Sequence, residues 1–469
     1  MNKKKIFAWF FILIMILCAC HNDRQVSQND APDKQGGQHN PPEATEEPLV
    51  VFYNQLEYAN VVSNYEKNYP EDNVKFYYVS DILDSSGFPA QYGVPDVFLL
   101  STSGWYWAAS LEQYCTEIPN ISFLNMAELQ KADDSFAEDN YFPGVLEMGQ
   151  WNGELVALPL SIMLPYMTLR EEAYGTSAFG LLGKDYTGLD MIDASIEELS
   201  KEREDGYVVF DIAWQFQNFL YILDAVHESE DGGFTVDKGI FEKIYDLNSL
   251  DRKNRETVQA QTDNSLIDLG LFPMDNEGKI LASIGRAVPQ IGYLYAANAN
   301  WEWFKQDTRI MWYSIPEDSA GYRAEVDMFG MINAQTSKQE RAYEFLRNCM
   351  DMSVQEWSGP NESFRTASYC PINRDAAKAM LTLVNESDLS HLQLEQYHTG
   401  KKHVIEGKPL SQAQCEEVAY VLDHISQIYS LRTIAEREAF GNLVNYFQSD
   451  DPEINVERAY EKFIYDLNS

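Results

Sequence analysis

Leu49-Val50-Val51-Phe52-Tyr53 is an unbroken apolar run between Pro48 and Asn54. A run of that length without alternation is what a strand buried on both faces requires. The next stretch, roughly 58–68, places Val61, Val62 and Tyr65 at helical spacing, and Pro70 stops it. Val74 to Val79 (VKFYYV) and Pro95 to Leu100 (PDVFLL) read as the second and third strands, the latter followed by a polar loop at Ser101 to Gly104. Strand, helix, strand at these intervals predicts an α/β fold with a parallel sheet and crossover helices. Ligands of such sheets sit at the carboxyl ends of the strands, which singles out the loops after Tyr53 and Leu100.

Further along, Trp151 to Leu160 (WNGELVALPL) reads as a turn delivering a short apolar strand that ends at a proline. Residues 192–240 are rich in helical pattern, including an amphipathic stretch around Trp214 to Val226. Ile280 to Ile284 and Asp327 to Asn333 read as strands. Ser337-Lys338-Gln339-Glu340 fits a capping box, and Ala342, Phe345, Leu346, Cys349 and Met350 then make one apolar face. From about Asp375 the chain reads as mostly helical. Val418, Val421, Leu422, Ile425 and Tyr429 form one stripe, and Val456, Tyr460, Phe463, Ile464 and Leu467 another, both of core type.

Ahead of the first strand the composition changes. Lys3, Lys4 and Lys5 precede an uncharged apolar run from Ile6 to Ala19, of signal-peptide length and too short for the ~20 residues of a spanning helix. The run closes on Leu17-Cys18-Ala19-Cys20, which resembles the bacterial lipobox. The resemblance implies export, removal of residues 1–19 and a diacylglycerol anchor on Cys20. Residues His21 to Pro48 contain no Phe, Trp or Tyr and one large aliphatic, Val26. Such a segment buries too little apolar area to offset its ordering entropy, so residues 20–48 read as a disordered tether.

The chain carries 35 Lys and Arg against 73 Asp and Glu, a formal charge of −38. That field excludes nucleic acid as a partner, since phosphate contacts need a basic surface. It repels anionic headgroups too, leaving membrane attachment to the lipid. Cys115, Cys349, Cys370 and Cys415 lie past the tether without a CxxC pair; disulfides and free buried thiols both remain open. No HExxH, GxSxG, Walker A, GxGxxG or EF-hand register occurs. The expectation is therefore a binder and not an enzyme, with no cofactor and no metal.

Several segments in order resemble the extracellular solute-binding proteins of ABC importers, in particular the carbohydrate-binding group (family 1) that includes maltose-binding protein. They are LVVFYNQLEYANVVSNYEKNYP, PDVFLLSTSGWYWAASLEQYCTEI, LVALPLSIMLPYMTLREEAYG, FGMINAQTSKQERAYEFLRNCM and CPINRDAAKAM. The resemblance implies a two-lobed periplasmic-binding-protein-like fold (type II), with 49–159 plus 324–352 in the first lobe and 160–323 plus 353–469 in the second. It implies a solute held in the cleft, closure by hinge motion and delivery to a membrane permease. By position, ligand contacts would come from Asn54, Gln55, Glu57, Ser101, Ser103 and Trp105 in the first lobe. The second would supply Trp214, Arg286, Gln290, Trp357 and Arg365. Amides, hydroxyls and carboxylates suit sugar hydroxyls, and aromatic faces suit pyranose rings. The chain departs from the family at Leu169-Arg170-Glu171, where Tyr-Asn-Lys is usual, and at Gly285 to Gln290, which lacks the usual aromatic. The acidic balance keeps a peptide or polyamine receptor as the alternative. A lipoprotein glycan hydrolase would need two carboxylates facing each other across the cleft.

Overall fold

The computed structural model describes residues 47–55, 59–84, 88, 92–102, 109–134, 136–170, 178–183, 185–201, 207–210, 216, 218–229, 232–261, 280–284, 308–316, 318–350, 370–379, 392–395, 402–405, 411–449 and 454–469. The lipobox and tether lie outside them. Among the described residues no helix is long and apolar enough to cross a membrane.

β1 (Leu49–Tyr53) leads through α1 (Ala59–Asn68) to β2 (Val74–Tyr78), and the chain then reaches β3 (Val97–Ser101). Both β2 and β3 pair with β1 in parallel, as the apolar runs predict. Every residue of β3 is buried. The Phe52 ring meets those of Tyr77, Phe88 and Phe98 edge-on, with centroids 6.1, 5.4 and 6.2 Å away. Each such contact adds about 0.5–1.5 kcal/mol to the burial itself.

After α2 (Leu111–Glu117) comes a hairpin of Gln150–Trp151 and Glu154–Leu155. Its two turn residues, Asn152 and Gly153, have φ of 51° and 78°, the left-handed conformation an Asn-Gly hairpin demands. β4 (Ala157–Met163), β5 (Tyr166–Arg170), α3 (Gly188–Ser200), β6 (Tyr207–Phe210), α4 (Asn218–Ile222) and α5 (Lys238–Gln261) follow. Then come β7 (Ile280–Ile284), β8 (Thr308–Trp312), the long β9 (Asp318–Ile332), α6 (Gln339–Cys349) and β10 (Cys370–Pro371). α7 (Gln412–Asp423), β11 (Ile425–Tyr429), α8 (Ile434–Phe447) and α9 (Val456–Leu467) end the chain. The main sheet runs β10-β4-β9-β3-β1-β2, and β11 adds to β9 in parallel. Smaller pairs are β5 with β8 and, in parallel, β6 with β7.

Glu47–Ser469 is one compact unit containing two hydrophobic cores. The first gathers Phe52, Phe98, Phe329 and Phe345 around the main sheet. The second gathers Met191, Leu220, Phe241, Phe440 and Phe463 among helices. Among the described residues, three stretches of chain link them. Tyr166 packs in the first and Met167 in the second; Tyr313 in the second and Ala324 in the first; Ile425 in the first and Tyr429 in the second.

Several expectations are corrected. The strand after Trp151 does not end at Pro159 but runs on to Met163. Pro159 faces Phe329 where the register with β9 shifts, and an irregular position tolerates a residue with no N–H. The capping box at Ser337 does not form: Lys338 is the N-cap of α6, without a side-chain cap bond. That corner is tied instead through Asp96, whose carboxylate accepts from Val50 N, Thr336 Oγ1 and, at 3.0 Å, Lys338 Nζ. The stripe from Val418 splits, because the helix stops at Asp423 and Ile425 and Tyr429 belong to β11. Around Trp214 to Val226 only Asn218–Ile222 is helical among the described residues, and Val226 begins a strand. The helix ends in a Schellman motif, with Ala225 N donating to Leu220 O, Asp224 N to Tyr221 O, and Asp224 at φ 52°. Cys370, Ile372, Ala377, Val418, Val421 and Leu422, placed by sequence in the second lobe, pack in the first core. The reason is that β10 pairs with β4 and β11 with β9, both in the main sheet.

Candidate functional site

The carboxyl ends of β1 and β3 meet the middle of β9. Asn54, one residue past β1, is half-buried and held on three sides. Its amide N–H donates to Leu99 O at 3.3 Å, its Nδ2 donates to Tyr114 Oη at 2.9 Å, and its Oδ1 accepts from Ser101 N at 3.1 Å. Tyr114 Oη in turn donates to Ser101 O at 2.6 Å. Burial pushes the Tyr114 hydroxyl pKa well up, so it stays a donor at any ordinary pH. The Ser101 hydroxyl donates to Asp327 Oδ1 at 3.2 Å, with both residues fully buried. Thr102 N donates to Asp327 O, and Thr102 Oγ1 shares a 3.1 Å hydrogen bond with Ser430 Oγ. This last bond joins the end of β3, in the first core, to the segment that follows β11 into the second.

On the far side of that segment lies Arg323 of β9. Its guanidinium donates to Tyr221 O, pairs with Asp224 at 3.2 Å and lies 4.9 Å from the Tyr429 ring centroid. Burial lowers the Arg323 pKa, and Asp224 opposes the shift. Tyr221 stacks on Tyr429 and on Phe440 and donates to Glu436 Oε1 at 2.7 Å. Polar groups buried this deeply are retained where they are hydrogen-bonded. Here they line the places where chain crosses from one core to the other. The arrangement orients donors and acceptors. Among the described residues no group of His, Cys, Asp and Glu is placed to hold a metal ion.

Of the residues expected at the site, the structure brings Asn54 and Ser101 together. Ser101 is fully buried and bound to Asp327, so it lies in the interior at the end of β3 and not at the surface. Gln55 is half-buried next to Asn54. Glu57, Ser103, Trp105, Trp214, Arg286, Gln290, Trp357 and Arg365 lie outside the described residues, as does Cys20. β6 and β7 are parallel and end together, Phe210 opposite Ile284, four residues before Trp214 and two before Arg286 in the chain. Tyr114, Asp327, Thr102, Ser430 and Arg323 were not expected. A carboxylate inside the apolar run Val326-Asp327-Met328-Phe329 was the available signal for one of them. Cys115, Cys349, Cys370 and Cys415 are all free thiols.

No known protein family matches the sequence, and no curated protein does. Solved structures match in shape. A sugar transporter protein from Rhizobium etli, in an open conformation, aligns with TM-score 0.57 at 11% identity, over 90% of this chain and 99% of the other. A cyclic alpha-maltosyl-1,6-maltose binding protein from Arthrobacter globiformis gives 0.54 at 11% identity, over 90% and 99%. An extracellular solute-binding protein of family 1 from Alicyclobacillus acidocaldarius gives 0.53 at 14% identity, over 90% and 100%. Identity at this level speaks for architecture alone: the chain has the two-lobed α/β fold of the periplasmic binding proteins.

Proposed function

We propose that this chain is an extracellular solute-binding protein that captures a sugar or oligosaccharide between two lobes and delivers it to an ABC permease. The carrying observation is the junction between the cores, where Asp327 of β9 and Ser430, just past the crossing at β11, join a hydrogen-bonded network at the ends of β1 and β3. Few, well-defined connections are what hinge closure needs. The sugar and maltose-derived ligands named for two of the similar structures support the ligand class. Solute touching both lobes binds the closed form better and so shifts the population towards it.

In this reading Asn54, Gln55, Glu57, Ser103 and Trp105 face the solute from the first lobe, with Ser101 supporting them. Trp214, Arg286, Gln290, Trp357 and Arg365 face it from the second. The chain binds and releases its solute unchanged, and lipid on Cys20 holds it at the outer face of the membrane. A Cys20→Ala variant should leave the membrane fraction; its retention there would reject the anchor.

Thermal shift against a panel of oligosaccharides tests the solute class. A true ligand at a hundredfold excess over Kd stabilises by about 2.7 kcal/mol. No shift with any sugar beside a clear one with spermidine would establish the polyamine reading, which the formal charge of −38 supports. Cleavage of a sugar in the same panel would mark a hydrolase.

A further inference from the structure

We propose that Glu112 is a positioning residue that sets the angle between the two halves of the solute site, by capping from the first core the helix that enters the second. The proposal rests on the two-lobed reading above. α2 carries Leu111 and Tyr114 into the first core, and α8 carries Ala439 and Phe440 into the second. Their N-termini abut. A helix start leaves four N–H groups without intrahelical acceptors, so the destination of each is informative.

In α2, Leu111 N donates to Leu431 O at 3.4 Å and Glu112 N to Arg432 O at 2.9 Å. Gln113 N is taken by its own cap, Ser110 Oγ. In α8, Glu436 N is likewise taken by its own cap, Thr433 Oγ1. The first amide of α8, Ile434 N, instead donates 2.8 Å to Glu112 Oε2, from a residue 322 positions away in the chain. The two helix starts therefore satisfy each other, one through backbone carbonyls and the other through a carboxylate.

The charge of Glu112 matters here. Two N-termini brought together oppose like ends of their dipoles, and one carboxylate between them is favourable to both. Glu436 is already engaged by Arg432 N, Thr433 N and Tyr221 Oη. The bond lies immediately past β11, where the chain has just crossed between cores. Rotation of α8 against α2 must stretch it, so it favours the inter-lobe angle seen here. Thr102 with Ser430 brackets the same crossing.

The test uses the full chain without solute. Spin labels on keto-bearing residues replace Lys67 of α1 and Glu461 of α9, both exposed, and pulsed dipolar spectroscopy reads the distance between them. Glu112→Ala should raise the population outside the native distance range at least about tenfold, the effect of losing a hydrogen bond to a charged group. Glu112→Gln, which keeps an acceptor oxygen, should fall between. Ile434→Pro deletes the same bond from the donor side. Proline suits a first helical position, and Thr433 before it is already extended at φ −107°, ψ 157°. It should broaden the distances equally, and the double variant no further. Native distances in both single variants with native circular dichroism overturn the proposal. Loss of fold in both also overturns it, in favour of a purely structural cap. Because no sugar is used, failure of the sugar assignment leaves this measurement intact.

Discussion

Tyr114→Phe removes one oxygen from the support beneath the candidate site and almost nothing else. The ring is buried, and its packing survives the change. The lost hydroxyl donated to Ser101 O at 2.6 Å and accepted from Asn54 Nδ2 at 2.9 Å. Ser101 is fully buried, so its carbonyl loses a donor where water does not readily replace it. Leaving such a group unsatisfied costs about 1–3 kcal/mol. Unfolding entropy is about 2.1 cal/mol/K per residue, so for a chain of this size each kcal/mol moves Tm by roughly 1 °C. Tyr114→Phe should therefore lower a calorimetric Tm by about 1–3 °C. The Asn54 side chain also loses the contact that orients its amide, so Tyr114→Phe and Asn54→Ala should couple by at least about 0.5 kcal/mol in a double-mutant cycle. An unchanged Tm together with zero coupling would refute the reasoning. It would mean the hydroxyl exchanges freely with water, and that β1 and β3 are registered at their ends by the sheet alone.

In Phe345→Ala the side chain that meets the Tyr65 ring at 4.6 Å and that of Phe76 at 5.8 Å is lost, and chemical denaturation should report about 3–5 kcal/mol for that fully buried ring. In the native protein Cys349 and Cys370 should resist a thiol reagent, since burial raises both pKa values; Cys115, pushed up to about 12, should react slowly. All four thiols should react at once in guanidinium, and a shortfall there would expose a disulfide. Stability should fall as pH rises from about 9: the folded-state pKa values of Cys115, Cys349 and Cys370 lie above 9.0, and those of Tyr114, Tyr221, Tyr313 and Tyr429 above 10.0, all through burial. The unfolded chain releases these protons first, so the loss begins near pH 9 and deepens past 10, while below 9 the contribution is whole. A Tm that climbs between pH 8.5 and 10.5 would contradict this sign.

Periodicity made the first core readable because its elements are local. Val61 and Tyr65 on one helix face, an apolar run for β1 and another for β3 each state their burial within a few residues. What was misread turns on partners distant in the chain. Ile425 and Tyr429 continue the spacing of Val418 and Leu422, yet pairing with Tyr322 to Glu325 of β9 takes them into a strand. Ser337 and Glu340 have the right chemistry for a cap, but Asp96, some 240 residues earlier, already holds Thr336 and Lys338. At Pro159 the local rule against strand proline is sound, and only the register shift of β9 makes room for it.

The same distinction explains the site. The place of Asn54 at a strand end was legible because strand ends in a parallel sheet are informative by topology. The residues that orient it were not, since Tyr114 reads as a core aromatic of α2 and Asp327 as a lone charge in a strand. Their role appears only when Ser101 joins donors and acceptors from three other segments. A buried carboxylate is costly unless it is bonded, and bonding it demands specific geometry from each contributor. If the junction only sealed two cores together, apolar residues of similar size would serve as well or better. Its polarity is therefore best read as specification of register where the chain crosses between cores. Replacing Ser101 and Asp327 together by Ala and Leu separates the two views. A more stable protein with unchanged solute affinity would show that the network is dispensable, whereas retained stability with weakened affinity would show that it aligns the ligand loops.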